Sequence, residues 1–261
     1  MVKWYPQNNN NFRHCGAILT RTLPSEFEIN LNSLALNHLF PYIDRTLLHP
    51  NVTIIEQDNA LDEVNQLGLA GLVVAPFWVK KHRRDLGQNH PATLTAAIGY
   101  PYGYQRTEIK QHELDLALAD GANAVEVVLN TSALFSPNSL WLKIELAKLV
   151  SVAHAREVPL TVVLESAFLD EAQLLKLIKT AADAGADGLK NATGTPFAGP
   201  SPGTARPASA GLLPTFSLQN ALHFRASVPG SIAVTIAADG ATEPELEALV
   251  AAGINRLAIR G

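Results

Sequence analysis

From residue 43 onward the sequence keeps one cadence: a short apolar run, a turn signal, an amphipathic stretch, then the next apolar run. Strand-like runs fall at 43–48, 71–75, 94–99, 124–130, 160–165, 186–190, 232–237 and 255–259. Between them, apolar residues at helical spacing predict helices over 56–67, 77–86, 107–119, 138–157, 170–184, 213–227 and 243–252. Gly68, Gly121 and Gly253 read as helix stops, and Asp170 as an N-cap. Eight parallel-type strands alternating with helices predict an α/β fold, the closed (β/α)₈ or TIM barrel. The structural competitor is a doubly wound open sheet, which would carry a Gly-rich phosphate turn after its first strand; none stands there. Residues 1–30 form a polar arm and 31–261 a single barrel domain in this reading. Leu31, Leu34, Ala35 and Leu39 predict a short helix over 31–40, ended by Pro41. With the last run reaching Ile259 and the sequence stopping at Gly261, a full eighth helix is not expected, and the 31–40 helix would cover part of that gap.

Composition narrows the functional classes. Hydrophobic residues make up 47% of the 261, enough for a large core, and the net charge of -4 argues against a nucleic-acid or membrane-surface partner. No apolar run is long enough to span a bilayer. Cys15 is the single cysteine, which fits a reducing compartment, and the polar stretch Gln7-Asn8-Asn9-Asn10-Asn11 lacks the apolar core of a secretory signal. A cytoplasmic protein is the expectation.

The run Ala186-Asp187-Gly188-Leu189-Lys190 places a lysine near the C-terminal end of a strand, just before the Gly/Pro-rich segment that follows Gly194. Period-2 alternation puts Gly188 and Lys190 on one face and Leu189 on the other. In a barrel the uniformly aliphatic face meets the helices and the other face fills the interior. On that basis Val125, Val127 and Leu129 face out and Glu126 faces in; Val162 and Leu164 face out and Glu165 faces in; Asp44 and Thr46 share the inner face of the first strand. The inward set therefore holds Asp44, Glu126, Glu165 and Lys190. Lys190 could merely reach for solvent from the strand end, and the carboxylates could form a structural polar cluster. One lysine among carboxylates at the catalytic end of a barrel is also the layout for amine–aldehyde chemistry, in which the deprotonated amine attacks a carbonyl and a carboxylate shuttles protons.

Four stretches extend this. Ile43-Asp44-Arg45-Thr46-Leu47-Leu48 resembles I-D-H-T-L-L, and Ile98-Gly99-Tyr100-Pro101-Tyr102-Gly103 resembles I-G-F-P-x-G, followed by Thr107-Glu108-x-Lys110. The stretch from Gly121 to Asn130 resembles G-A-D-E-I-D-M-V-I-N, and that from Gly185 to Gly194 resembles G-A-D-F-V-K-T-S-T-G. In this order they resemble the 2-deoxyribose-5-phosphate aldolase family of class I aldolases, from about Asp44 to the C-terminus. The resemblance implies that Lys190 is the Schiff-base lysine, that Glu126 stands for the catalytic aspartate with one more methylene, and that Asp44 lines the substrate pocket. It implies that Gly194 lies in a loop that helps hold a phosphate.

The departures from the family pattern lie at the other end of the chain. Val234-Thr235-Ile236-Ala237-Ala238-Asp239-Gly240 aligns with V-K-A-S-G-G, so Thr235 replaces the family's second lysine, and Ala238-Asp239 replaces the glycine pair that supplies phosphate-binding N–H groups. An aspartate there repels a phosphate dianion, whereas Arg260 offers one a contact. The expectation is a lysine-dependent class I aldolase, a lyase acting on a small aldehyde or sugar phosphate, with Lys190, Glu126 and Asp44 catalytic. Thr46, Glu165, Gly194, Thr235, Gly240 and Arg260 are expected to bind substrate. Such chemistry needs no metal and no organic cofactor. The alternative is a catalytically impaired relative that binds a sugar or sugar phosphate in a regulatory or assembly role, and a third option is imine chemistry turned to dehydration or transaldolase-type transfer. A homodimer is expected only by analogy with other barrels. The long loop over 197–211 reads as a lid carrying Arg206 or as an idle insertion.

Overall fold

The computed structural model describes residues 37–130, 133, 140–195 and 216–260. The predicted arm, most of the 31–40 helix and the 197–211 loop lie outside them. The described residues form a closed barrel of eight parallel strands in sequential order, β1 pairing with β8. The strands are β1 (Ile43–Leu47), β2 (Gly71–Val74), β3 (Thr93–Ile98), β4 (Ala124–Val128), β5 (Leu160–Val163), β6 (Gly188–Lys190), β7 (Ala233–Ala237) and β8 (Arg256–Arg260). Helices α1 (Ile54–Leu67), α2 (Pro76–Leu86), α3 (Thr107–Ala119), α4 (Trp141–His154), α5 (Glu171–Asp183), α6 (Leu218–Ser227) and α7 (Glu243–Ala251) follow β1 to β7 in turn.

Helix starts are written locally. Thr53 with Glu56, Asp170 with Gln173 and Thr242 with Glu245 each form a capping box, in which two backbone N–H groups at the helix start are satisfied reciprocally. Gly68 closes α1 in the left-handed conformation that a glycine adopts freely.

Alternation along the strands sorts the core. Val125, Val127 and Leu129, with Val162, Leu164, Leu189, Val234 and Ile236, join the helices in one continuous apolar layer. The interior holds a separate small apolar cluster of Leu48, Val73 and Ala97, with Ala75 and Tyr100 packed against it. Apart from Val128 and Val163, the other inward positions are polar or small, and this leaves an interior in which charged side chains meet.

One expectation is corrected. Residues 37–39 form a turn and Phe40–Tyr42 a single 3₁₀ turn in place of the end of the predicted α-helix. Leu39 and Phe40 are nevertheless buried, and the Phe40 carbonyl accepts from Ala70 N–H, so the segment is docked at the N-terminal end of the barrel. Pro41 enters the 3₁₀ turn instead of stopping a helix before it, since its fixed φ suits a first turn. No described helix is long and apolar enough to cross a membrane.

Candidate functional site inside the barrel

The strand register brings the inward residues into rows. Thr161 stands beside Glu126 on one side and Gly188 on the other, while Lys190 stands between Val163 and Thr235. Lys190 is wholly buried and its Nζ donates to Glu126 Oε2 at 2.8 Å; the Glu126 side chain is 7% exposed. A buried ammonium without a partner is costly, and so is a buried carboxylate; here each meets the other across the barrel. Gly188 makes room for the neighbouring strand, because a Cβ there would meet Thr161 Oγ1 at 2.6 Å.

Asp44 lies lower in the barrel. Its Oδ1 accepts from Arg256 Nη1 at 2.8 Å, and Arg256 Nη2 donates to Thr93 Oγ1 at 3.1 Å. Burial pushes the Asp44 carboxyl up to about 6, Arg256 pulls the other way, Glu126 adds to the rise and Lys190 opposes it. Asp44 thus senses both members of the Lys190–Glu126 pair. Gly71 allows it to sit there: a Cβ at that position would lie 2.6 Å from Asp44 Oδ1. Above it, the Thr46 hydroxyl is buried with no hydrogen-bond partner among the described residues. A donor–acceptor group left open in the interior is where a ligand or water would bond.

The C-terminal mouth is polar. Glu165 lies past the end of β5 in the left-handed region, at φ 48°, so a turn and not strand alternation aims it. It is buried and accepts from Thr193 N–H; burial raises its carboxyl, while the Thr193 hydrogen bonds and the Lys190 and Arg260 charges hold it down. Tyr100 and Thr195 share a hydroxyl–hydroxyl hydrogen bond at 2.5 Å, with Arg260 and Lys190 both in electrostatic reach of the phenol. Arg260 donates through its backbone N–H and its Nε to the two oxygens of Asp239, both at 2.7 Å. Gly194, at φ 77°, lies directly against this pair: a Cβ there would meet Arg260 Nη2 at 2.8 Å and Asp239 Oδ2 at 3.2 Å.

The barrel therefore gathers Lys190, Glu126, Asp44, Thr46, Glu165 and Thr235 in its interior, and Gly194 with Arg260 at the mouth. Gly240 stands apart, exposed on the turn after Asp239 with open space over its Cα. Sequence reasoning missed Arg256. Its signal was strand parity, since it shares the inner face of β8 with Ala258 and Arg260. It also missed the Asp239–Arg260 pair, because residues twenty-one positions apart, one in the turn after β7 and one at the end of β8, carry no local sign of contact. Among the described residues, no group of three or more His, Cys, Asp and Glu side chains is arranged to hold a metal ion.

No protein-family model matches the chain. Individual proteins do. The deoxyribose-phosphate aldolase of Thermococcus kodakarensis is 34% identical over 154 residues, covering 59% of this chain and 69% of the relative. The deoxyribose-phosphate aldolase of Clostridium botulinum (strain Langeland) is 29% identical over 219 residues, covering 84% and 94%. Among solved structures, the tetrameric deoxyribose phosphate aldolase from Aeropyrum pernix superposes with a TM-score of 0.70 at 23% identity, covering 85% of this chain and 86% of that one. A structure described as QR15, an aldolase, gives a TM-score of 0.72 at 23% identity, covering 85% and 90%. These structural likenesses speak for the barrel, and the sequence matches go further: the chain belongs to the deoxyribose-phosphate aldolase family.

Proposed function

We propose that this chain is a lysine-dependent aldolase, a lyase that makes or breaks a C–C bond in a small hydroxy-aldehyde, with Lys190 as the amine nucleophile. The observation that carries the reading is the buried Lys190–Glu126 contact at 2.8 Å inside a barrel, next to a cluster of polar groups. The proton passes along this hydrogen bond from Nζ to Glu126, and the free amine adds to the aldehyde carbon to give a carbinolamine. Glu126, now the acid, protonates the departing hydroxyl, which leaves as water and yields the iminium. The Glu126 carboxylate then takes the proton from the carbon next to the iminium, giving an enamine. The enamine attacks a second aldehyde, whose alkoxide takes the proton back from Glu126, and water releases the product from Lys190.

Asp44 tunes the field around this pair, and its carboxyl near 6 lets it change charge close to neutral pH. Thr46 supplies an open hydroxyl for a substrate oxygen. Thr235, the register neighbour of Lys190, is buried beside it and places a hydroxyl where the family pattern has a second lysine. Glu165 closes the polar rim beside Lys190.

Borohydride trapping with acetaldehyde and with 2-deoxyribose 5-phosphate, followed by peptide mass spectrometry, tests the reading. A reduced adduct on Lys190, absent from Lys190→Ala, is expected. A folded sample that binds these compounds yet gives no adduct would make the chain a binding protein on an aldolase scaffold.

A further inference from the structure

The mouth of the barrel bears on the tail of the substrate, the end away from the aldehyde. Two described cations face it, Lys190 and Arg260, and each is paired with a carboxylate. Lys190 donates to Glu126, and Arg260 donates to Asp239 once from its guanidinium Nε and once from its backbone N–H. Glu165 adds a third carboxyl within electrostatic reach of both cations. Among the described residues, three carboxyl groups against two cations leave no net positive charge to receive a phosphate dianion, whose approach each further carboxylate opposes.

The pair is also closely packed on one side. Gly194 lies so close to the Arg260–Asp239 pair that even a methyl group on its Cα would collide with the guanidinium. The next helix start is closed in the same way. The Thr242 N–H at the head of α7 donates to its own Glu245 at 2.8 Å, with Glu243 a further acid in that first turn. A helix N-terminus whose amides are answered from within and flanked by acids offers little to an added anion.

We infer that Asp239 acts as a built-in anion on Arg260, so that the site takes an uncharged hydroxy-aldehyde in place of a phosphate ester. The hydroxyls of such a substrate meet the polar rim formed by Tyr100, Thr195 and the Asp239 carboxylate. This assignment rests on the imine reading for its reaction, but its statement about anions stands on the Arg260–Asp239–Gly194 contacts alone.

The test uses the full chain and Asp239→Asn, both checked for folding by thermal melting. Turnover is measured on 2-deoxyribose and on 2-deoxyribose 5-phosphate, and inorganic phosphate is titrated by calorimetry. The wild type is expected to use the unphosphorylated sugar at least as well as the ester and to give no heat with millimolar phosphate. Asp239→Asn is expected to shift kcat/KM toward the ester by roughly ten- to a hundredfold, as for removal of one unit charge a few ångströms from the ligand. A wild type that prefers the ester tenfold or more, or that binds phosphate in a manner lost in Arg260→Met, would overturn the inference. Trapping with acetaldehyde separates the two readings: without that adduct the imine chemistry fails, while the phosphate titration still decides the role of Asp239.

Discussion

Lys110 and Lys190 are both wholly buried, each 2.8 Å from a glutamate whose side chain is 7% exposed, yet they stand on opposite sides of the barrel wall. Lys110, on α3, lies between the wall and the helices. It donates to Glu145 Oε1 and also to the Val128 carbonyl at the end of β4, both at 2.8 Å. Its stem packs under Gly99, whose N–H is in turn held by Glu113 at 2.7 Å. That ammonium thus ties the end of β4 to α4. Lys190 faces the interior, where it meets Glu126, with the open Thr46 hydroxyl on a facing strand and a polar rim above. The same ion pair thus acts as a rivet in one place and, in our reading, as a reactive amine in the other. Burial and pairing alone do not mark a catalytic lysine; the side on which the pair can still accept a partner does.

The sharpest way to break this contrast is to remove each amine. Lys190→Ala is expected to abolish borohydride trapping and reduce C–C cleavage to background, measured with acetaldehyde and a 2-deoxy sugar, whereas Lys110→Met should retain trapping at Lys190. If both variants lose it equally while folded, the distinction fails. Glu126→Gln keeps the shape but not the base, and its kcat is expected to fall by roughly 10²–10⁴ in steady-state assays. The corresponding Glu145→Gln should leave kcat within a few-fold.

On stability the ranking should reverse in character. Lys110→Met leaves Glu145 and the Val128 carbonyl buried without their donor and is expected to cost about 3–5 kcal/mol in urea unfolding, the range for breaking a buried pair.

The smallest of the expected effects is a pH dependence that Asp44 brings to the interior. Asp44 has its carboxyl raised from 3.8 to about 6 in the fold, so the folded state holds the proton more tightly than the unfolded chain. Its stabilising contribution is therefore complete below about 3.8 and is lost as pH rises through about 6, a change of about 3 kcal/mol. Asp44→Asn should remove that slope, so the stability difference between wild type and variant changes across pH 4 to 7. A difference that stays constant over that range would show that Asp44 does not titrate there.

Much of this was legible in advance. Strand parity correctly placed Val125, Val127 and Leu129 outside and Glu126 inside, because the side-chain period of a strand is fixed at two and the wall of a barrel separates an aliphatic layer from the interior. Glu165 shows where the rule stops, since the strand ends at Val163 and a left-handed turn aims the carboxyl instead. Lys110 was visible only as part of a motif, because a helical lysine in sequence looks the same whether it faces solvent or a carbonyl on the next strand.

The sequence by itself determined the cadence of strands and helices, the caps of α1, α5 and α7, and the inner face that carries Asp44, Glu126 and Lys190; these are local properties of period and turn chemistry. Only the tertiary structure decided which charges meet. Barrel closure brings β8 against β1, so that Arg256 reaches Asp44 across 212 residues of sequence, and it lays Asp239 and Arg260 against Gly194 at the mouth. Such pairings depend on register and distance between strands far apart in the chain, and electrostatic energy follows distance, not sequence order.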